Sequence, residues 1–306
     1  MNGHLVHITG DQLLCVIFAL LTAASNATAA VLQRKAAAEV PPEHSMHVSL
    51  LADLVRRRVW LAGIAMVVVA AVAQAAALAT GPIALVQPIF IIELPLALVL
   101  AALVSRQRDK LRELPWSAII ITTVALGAGL AAAQPTGAIE SAEDTSWIIA
   151  LIVTGGFEAV LIGIAVGTKG EPRAALLGLA AACGYALTAA LMKNAMADLS
   201  AGVEEFFTSW HIYAAAGAGV GALFLLQNAL QAGSLVASQP MLTVGDALIS
   251  IAYGVTLFSE EIRTGWWLLP QIVALAAIIY GCIQIARSPL AADTGALVSE
   301  TPSTVQ

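Results

Sequence analysis

The 306-residue sequence predicts an all-α polytopic membrane protein of about nine transmembrane helices. It further predicts two inverted four-helix repeats with one extra helix between them. Three observations lead there. The chain is 59% hydrophobic and only 11% charged, against roughly 25% charged in a soluble domain, and its mean hydropathy is +0.86. Most of it must therefore face lipid or other apolar helices. The apolar runs approach or exceed the roughly 20 residues that a spanning helix needs, without the every-second-residue alternation of an outer-membrane barrel. Finally, one segment is written twice, about 150 residues apart. Ala77-Leu78-Ala79-Thr80-Gly81-Pro82-Ile83-Ala84-Leu85-Val86-Gln87-Pro88 shares Ala-Leu, Gly and Gln-Pro, at one fixed offset, with Ala229-Leu230-Gln231-Ala232-Gly233-Ser234-Leu235-Val236-Ala237-Ser238-Gln239-Pro240.

The spans are expected in order as follows. Span 1 covers 11–33. No Lys or Arg precedes it and Gln33-Arg34-Lys35 follows it, so it reads as a retained helix with a stop-transfer flank rather than a signal peptide. Span 2 (57–80) opens within Arg56-Arg57-Arg58, with Trp60 at its boundary. Span 3 (82–104) opens at Gly81-Pro82, a tight hairpin, and carries Gln87, Pro88, Glu93 and Pro95. Span 4 (115–134) opens on Pro115-Trp116. Span 5 (146–168) opens on Trp147 and holds Glu158 at its centre. Span 6 (173–194) carries Cys183 and Tyr185, and Thr188-Ala189-Ala190 near its end matches Thr28-Ala29-Ala30 near the end of span 1. Span 7 (208–230) opens on Trp210. Span 8 (234–257) opens at Gly233-Ser234 and carries Gln239, Pro240 and Asp246. Span 9 (264–286) opens on Trp266-Trp267, as span 4 opens on Pro115-Trp116.

Residues 11–134 thus form a first repeat and 173–286 a second. Span 5, at 146–168, lies between them, and 288–306 is a polar tail expected to be disordered in the cytoplasm. Twelve of the fourteen Lys and Arg fall at one end of the spans, which puts the N-terminus outside and the C-terminus in the cytoplasm. Only Lys193 and Arg263 fall on the other side, among acids that include Glu260. The two repeats then run antiparallel. All six tryptophans sit at span ends and are expected to anchor the helices at the lipid–water boundary. Cys15, Cys183 and Cys282 lie within spans, without metal-ligand spacing, and read as small packing residues.

Glu93, Asp246 and Glu158 stand near the middle of spans 3, 8 and 5. A midplane acid costs about 2.5–3.5 kcal/mol on insertion scales. It persists when protonated, paired, or lining a wet cavity. No Lys, Arg or His is expected at matching depth, which leaves proton or cation binding beside a protonated carboxyl bonded across helices. Gln87 and Gln239 offer donors and acceptors to cargo or to a neighbouring helix. Pro88, Pro95 and Pro240 remove backbone donors and are candidate kinks, with Gly81, Pro82 and Gly233 as candidate hinges. Tyr185, Tyr253 and Thr243 are weaker cavity candidates. His44-Ser45-Met46-His47 is two imidazoles on a loop, more a solvated loop than a metal site. The segment 49–58, apolar and then basic, reads as an amphipathic stretch on the anionic cytoplasmic leaflet.

On its repeated Ala-Leu…Gly…Gln-Pro segments at 77–88 and 229–240, the chain resembles the drug/metabolite transporter superfamily, in its EamA-like group. Its nine spans and outside N-terminus also resemble the NIPA-like magnesium transporter branch. The resemblance implies two inverted halves, about ten helices in the usual EamA pattern, and alternating access around a site between the halves. The expected function is secondary transport of a small metabolite or drug across the cytoplasmic membrane, with proton exchange as a candidate coupling. The alternatives are a divalent-cation carrier and a non-transporting membrane interaction protein. No enzyme motif such as His-Glu-x-x-His or Gly-x-Ser-x-Gly occurs within the spans, and neither a cofactor nor a nucleic acid partner is expected.

Overall fold

Apolar sequence in lipid must satisfy its backbone internally, and the chain does so with helices. The computed structural model describes residues 10–38, 58–104, 112–137 and 142–288. Among these residues there is no β-strand, and nine helical stretches are long and apolar enough to cross a membrane. They are Gly10–Leu32, Arg58–Thr80, Ile83–Val104, Trp116–Ala133, Thr145–Gly167, Glu171–Ala201, Trp210–Ala232, Val236–Leu257 and Gly265–Ala286, spans 1 to 9 in order. The expectations for His44 to His47, for 49–57 and for the tail beyond Ser288 lie outside the described residues.

The largest boundary correction concerns span 6. Its helix runs from Glu171 to Ala201, seven residues beyond the expected end. Lys193 is therefore an interior helical residue with no exposure rather than a charge at the end of its span. The continuation is rich in Ala, Met and Leu, all good helix formers. It ends at Gly202, and a short helix, Val203–Thr208, leads into span 7.

Small residues let the helices approach closely, as in membrane bundles generally. Span 1 packs along span 2, and span 6 along span 7; span 8 packs on span 6, as span 3 packs on span 1; span 9 packs on span 4. At the turn between spans 2 and 3, Gly81 lies directly against Cys15 in the first turns of span 1, with no room for a side chain. At the turn between spans 7 and 8, a Cβ on Gly233 would come within 2.9 Å of Ala174 in the first turns of span 6. Thr28 and Thr188 each bond back to the carbonyl four residues earlier, at 2.7 and 2.8 Å.

Span 3 is not one helix. It runs as Ile83–Ile89, a 3-10 turn at Phe90–Ile92, and Glu93–Val104. Span 8 passes through Pro240 as one continuous helix, Leu235–Leu257. The interruption in span 3 falls between Pro88, which lies inside the first helical segment, and Pro95, which lies in the first turn of the second, while Pro240 does not interrupt its helix.

The tryptophan belt needs one correction. Trp116, Trp210, Trp266 and Trp267 are exposed at span ends, but Trp147 is buried, with 1% of its surface accessible. It packs edge-on against Trp210 and Phe258, at ring-centre distances of 5.8 and 6.4 Å. Its indole N–H donates to Asn194 Oδ1 at 3.3 Å. A packed indole whose N–H has found a partner stabilises an interior. Cys15, Cys183 and Cys282 are all buried free thiols, matching their reading as packing residues.

Candidate functional site

The break in span 3 positions the first carboxyl. Glu93 opens the second helical segment, and its backbone N–H closes the 3-10 turn onto Phe90 O. Its side chain turns toward span 1, where Asn26 Nδ2 donates to Glu93 Oε2 at 3.3 Å. Asp246 lies on span 8, where Ser250 Oγ donates to its Oδ1 at 3.4 Å. The two carboxyls lie within electrostatic reach of each other, and the Tyr185 hydroxyl on span 6 lies within reach of both. Spans 1, 3, 6 and 8 thus bring Asn26, Glu93, Tyr185 and Asp246 together. All four are half-buried among the helices. Neither Glu93 nor Asp246 has a Lys, Arg or His ion-pair partner among the described residues.

Glu158 is not part of this group. It is half-buried on span 5, within electrostatic reach of Cys183 on span 6 and Tyr253 on span 8. One turn before it, Thr154 shares a 2.5 Å hydrogen bond with the Tyr253 hydroxyl. Gln87 is buried, and its Nε2 makes no hydrogen bond among the described residues. Gln239, its counterpart in span 8, is half-buried. No described contact joins either glutamine to Glu93 or Asp246. No three His, Cys, Asp or Glu side chains gather as a metal site among the described residues.

A second polar centre, unforeseen from the sequence, closes one end of the bundle. Glu260, from the connection between spans 8 and 9, is buried and forms an ion pair with Lys193. Glu260 Oε1 also accepts the Ile83 N–H at 2.7 Å, and Oε2 accepts the Ala84 N–H at 2.9 Å. These amides open span 3, where no helical carbonyl precedes them. The Lys193 ammonium also lies 4.8 Å from the centre of the Phe258 ring. Removing one partner of a buried pair strands the other, at a cost of about 3–5 kcal/mol. Beside it, Asn194 Oδ1 accepts from the Ala142 N–H at 2.8 Å, and Asp198, Ser209 and His211 bond among themselves where span 6 meets span 7. His211, in the first turn of span 7, is buried in this network.

Two sequence signals could have exposed this centre. Lys193-Asn194 interrupts an otherwise apolar helical stretch, and the helix-forming residues continue past it. The partner was not legible, because Glu260 lies 67 residues away in a segment that reads as an acidic loop. Asn26, within Ser25-Asn26 of span 1, was equally visible as a polar interruption.

Neither a protein-family profile nor a solved structure matches this chain. It is similar to a protein of Corynebacterium glutamicum described as uncharacterized, with 26% identity over 283 residues, 91% of this chain and 96% of that one.

Proposed function

We propose that the protein is a secondary active transporter of the drug/metabolite type. It moves a small metabolite or drug across the cytoplasmic membrane by alternating access, with protons exchanged at Glu93 and Asp246. The observation that carries this reading is the meeting of these carboxyls between spans 1, 3, 6 and 8, half-buried and without a basic partner. A carboxyl at membrane depth without a counter-charge reads as a functional site by default. The broken helix beside it adds support. Interrupted backbone within a membrane is tolerated where it is buried in protein or lines a cavity, and transporters build their sites from such helices.

The inverted repeat is supported by corresponding contacts. Spans 1 and 2 pack as spans 6 and 7 do, each hairpin glycine presses on the first turns of span 1 or span 6, and Thr28 and Thr188 make the same bond. Two antiparallel copies can exchange conformations and so move a central site from one side to the other. With the basic end in the cytoplasm, the N-terminus lies outside and the Lys193–Glu260 end faces outward. The divalent-cation alternative has no comparable observation behind it.

The test is flux into proteoliposomes of a panel of small metabolites and cationic drugs, with and without a pH gradient. We expect gradient-dependent flux for at least one compound, and at least tenfold loss of that dependence in the Glu93→Gln, Asp246→Asn double variant. Flux unaffected by the double substitution would remove both carboxyls from the mechanism.

A further inference from the structure

The bond made by Glu260 joins parts of the chain that alternating access would have to separate. Ile83 and Ala84 belong to the first half, and Lys193 and Glu260 to the second. The three links to Ile83, Ala84 and Lys193 pass through one carboxylate, so a single side-chain rotation releases both amides and the ammonium together, while the backbone bonds of Glu261 with Thr136 and of Arg263 with Ala133 still hold the same connection to the end of span 4. The fit around the carboxylate is close. Gly254 leaves no room for a Cβ beside Glu260 Oε2, and a Cβ on Gly137 would come within 2.8 Å of Glu260 Cγ. The Glu260 N–H is held by Gly254 O at 2.8 Å, which fixes the side chain's base. Neither charged side chain has any exposure.

The corresponding turn at the opposite end is held differently. There Glu171 Oε1 accepts from the Ser234 N–H at 3.3 Å, and Oε2 from the Ser234 hydroxyl at 2.7 Å, in an exposed setting. That carboxylate has no lysine beside it in these bonds, and it stays within the second half. The dry, cross-half, ion-paired connection is made at the Lys193 end.

We propose that Glu260 is the latch of a gate: with Lys193 it pins the start of span 3 to the second half, closing this end of the bundle, and its release opens the Glu93–Asp246 site toward that side. The inference rests on the transport reading. The chemistry suits a reversible latch. Burying two ions costs solvation, and that cost falls away when water enters an opening gate, so release is not opposed by the full attraction of the pair. The same pair excludes water while it is closed.

Cys15 reports on the latch. It has no exposure, lies against Gly81, and is within electrostatic reach of both Lys193 and Glu260. With Cys183→Ala and Cys282→Ala, it is the remaining thiol of the full-length chain, and a membrane-impermeant methanethiosulfonate in sealed vesicles reads its access from each face. We expect slow modification in this parent, and a rate at least fivefold higher in Glu260→Gln, from the Lys193 face. Should that variant not fold, the Lys193→Met, Glu260→Met double variant leaves no stranded charge and should show the same rise. A rise below fivefold in the folded variant, or modification from the opposite face, overturns the proposal.

The unaltered protein gives an independent reading by hydrogen exchange. The Ile83 and Ala84 amides of a working latch exchange at least tenfold faster than the buried amides at Ala186 and Ala189 of span 6. Slower exchange than that marks a static staple and overturns the latch. Neither experiment needs cargo. A failed latch therefore leaves the transport reading standing, and absent flux with a responsive Cys15 defeats the transport reading alone.

Discussion

Spans 3 and 8 open on the same words and fold differently. Gln87-Pro88 and Gln239-Pro240 hold corresponding places, yet span 8 runs unbroken from Leu235 to Leu257 while span 3 yields to a 3-10 turn at Phe90–Ile92. The shared proline therefore does not cause the break. The difference lies further on. At the same offset of 152 residues, Pro95 in span 3 corresponds to Ala247 in span 8. A proline inside a helix clashes with the carbonyl four residues back and forfeits its bond, at about 3 kcal/mol or more. In the first turn of a helix it forfeits nothing. Restarting the helix at Glu93 puts Pro95 in such a turn. One proline can be absorbed; two in close succession divide the helix, and the division leaves Glu93 at the start of a segment beside Asn26 and Asp246.

The two spans also differ in how their starts are held, and the largest expected effect breaks that contrast. Glu260→Ala strands Lys193 and two backbone amides, and should lower stability by about 3–5 kcal/mol in detergent unfolding. Glu171→Ala removes an exposed contact and should leave the unfolding midpoint indistinguishable from that of the parent. Equal effects would mean that the two turns are held alike.

Next in size, Ala247→Pro gives span 8 the second proline that span 3 carries. It should cost about 3 kcal/mol and raise amide exchange across 243–247. Unchanged exchange there would separate the break from proline spacing. The smallest effect is expected from Pro95→Ala, which frees span 3 to join its segments. Protection at Phe90 to Glu93 should rise about tenfold. A span 3 that stays broken without Pro95 would place the cause in tertiary packing.

The number and order of the spans could be read from hydropathy, and the starts of seven of them from glycines, prolines and tryptophans that mark turns or interfaces. Span 6 overran its expected end because Lys193 resembled a terminal charge, and only its burial against Glu260 shows why the helix can continue through it. Trp147 resembled the other boundary tryptophans, but folded against Asn194 and Phe258 it became part of the interior. Both errors share one cause. A polar or amphipathic side chain is placed by a partner distant in sequence, and apolar periodicity carries no information about that partner. Glu93 and Asp246 were legible for the converse reason: a lone acid deep in an apolar span calls for an explanation wherever it points. Their proximity, and the separation of Glu158 from them, required the fold.

The most direct test asks whether water reaches Glu93. In a chain whose Cys15, Cys183 and Cys282 are replaced by Ala, Glu93→Cys is exposed to an impermeant thiol reagent from each face of sealed vesicles. The account predicts modification from the aqueous phase at the Glu171 end, and protection at the Lys193 end while Glu260 holds. A thiol that only a lipid-soluble reagent reaches would contradict it, because the carboxyl at that position would then face hydrocarbon or dry packing rather than a path for cargo.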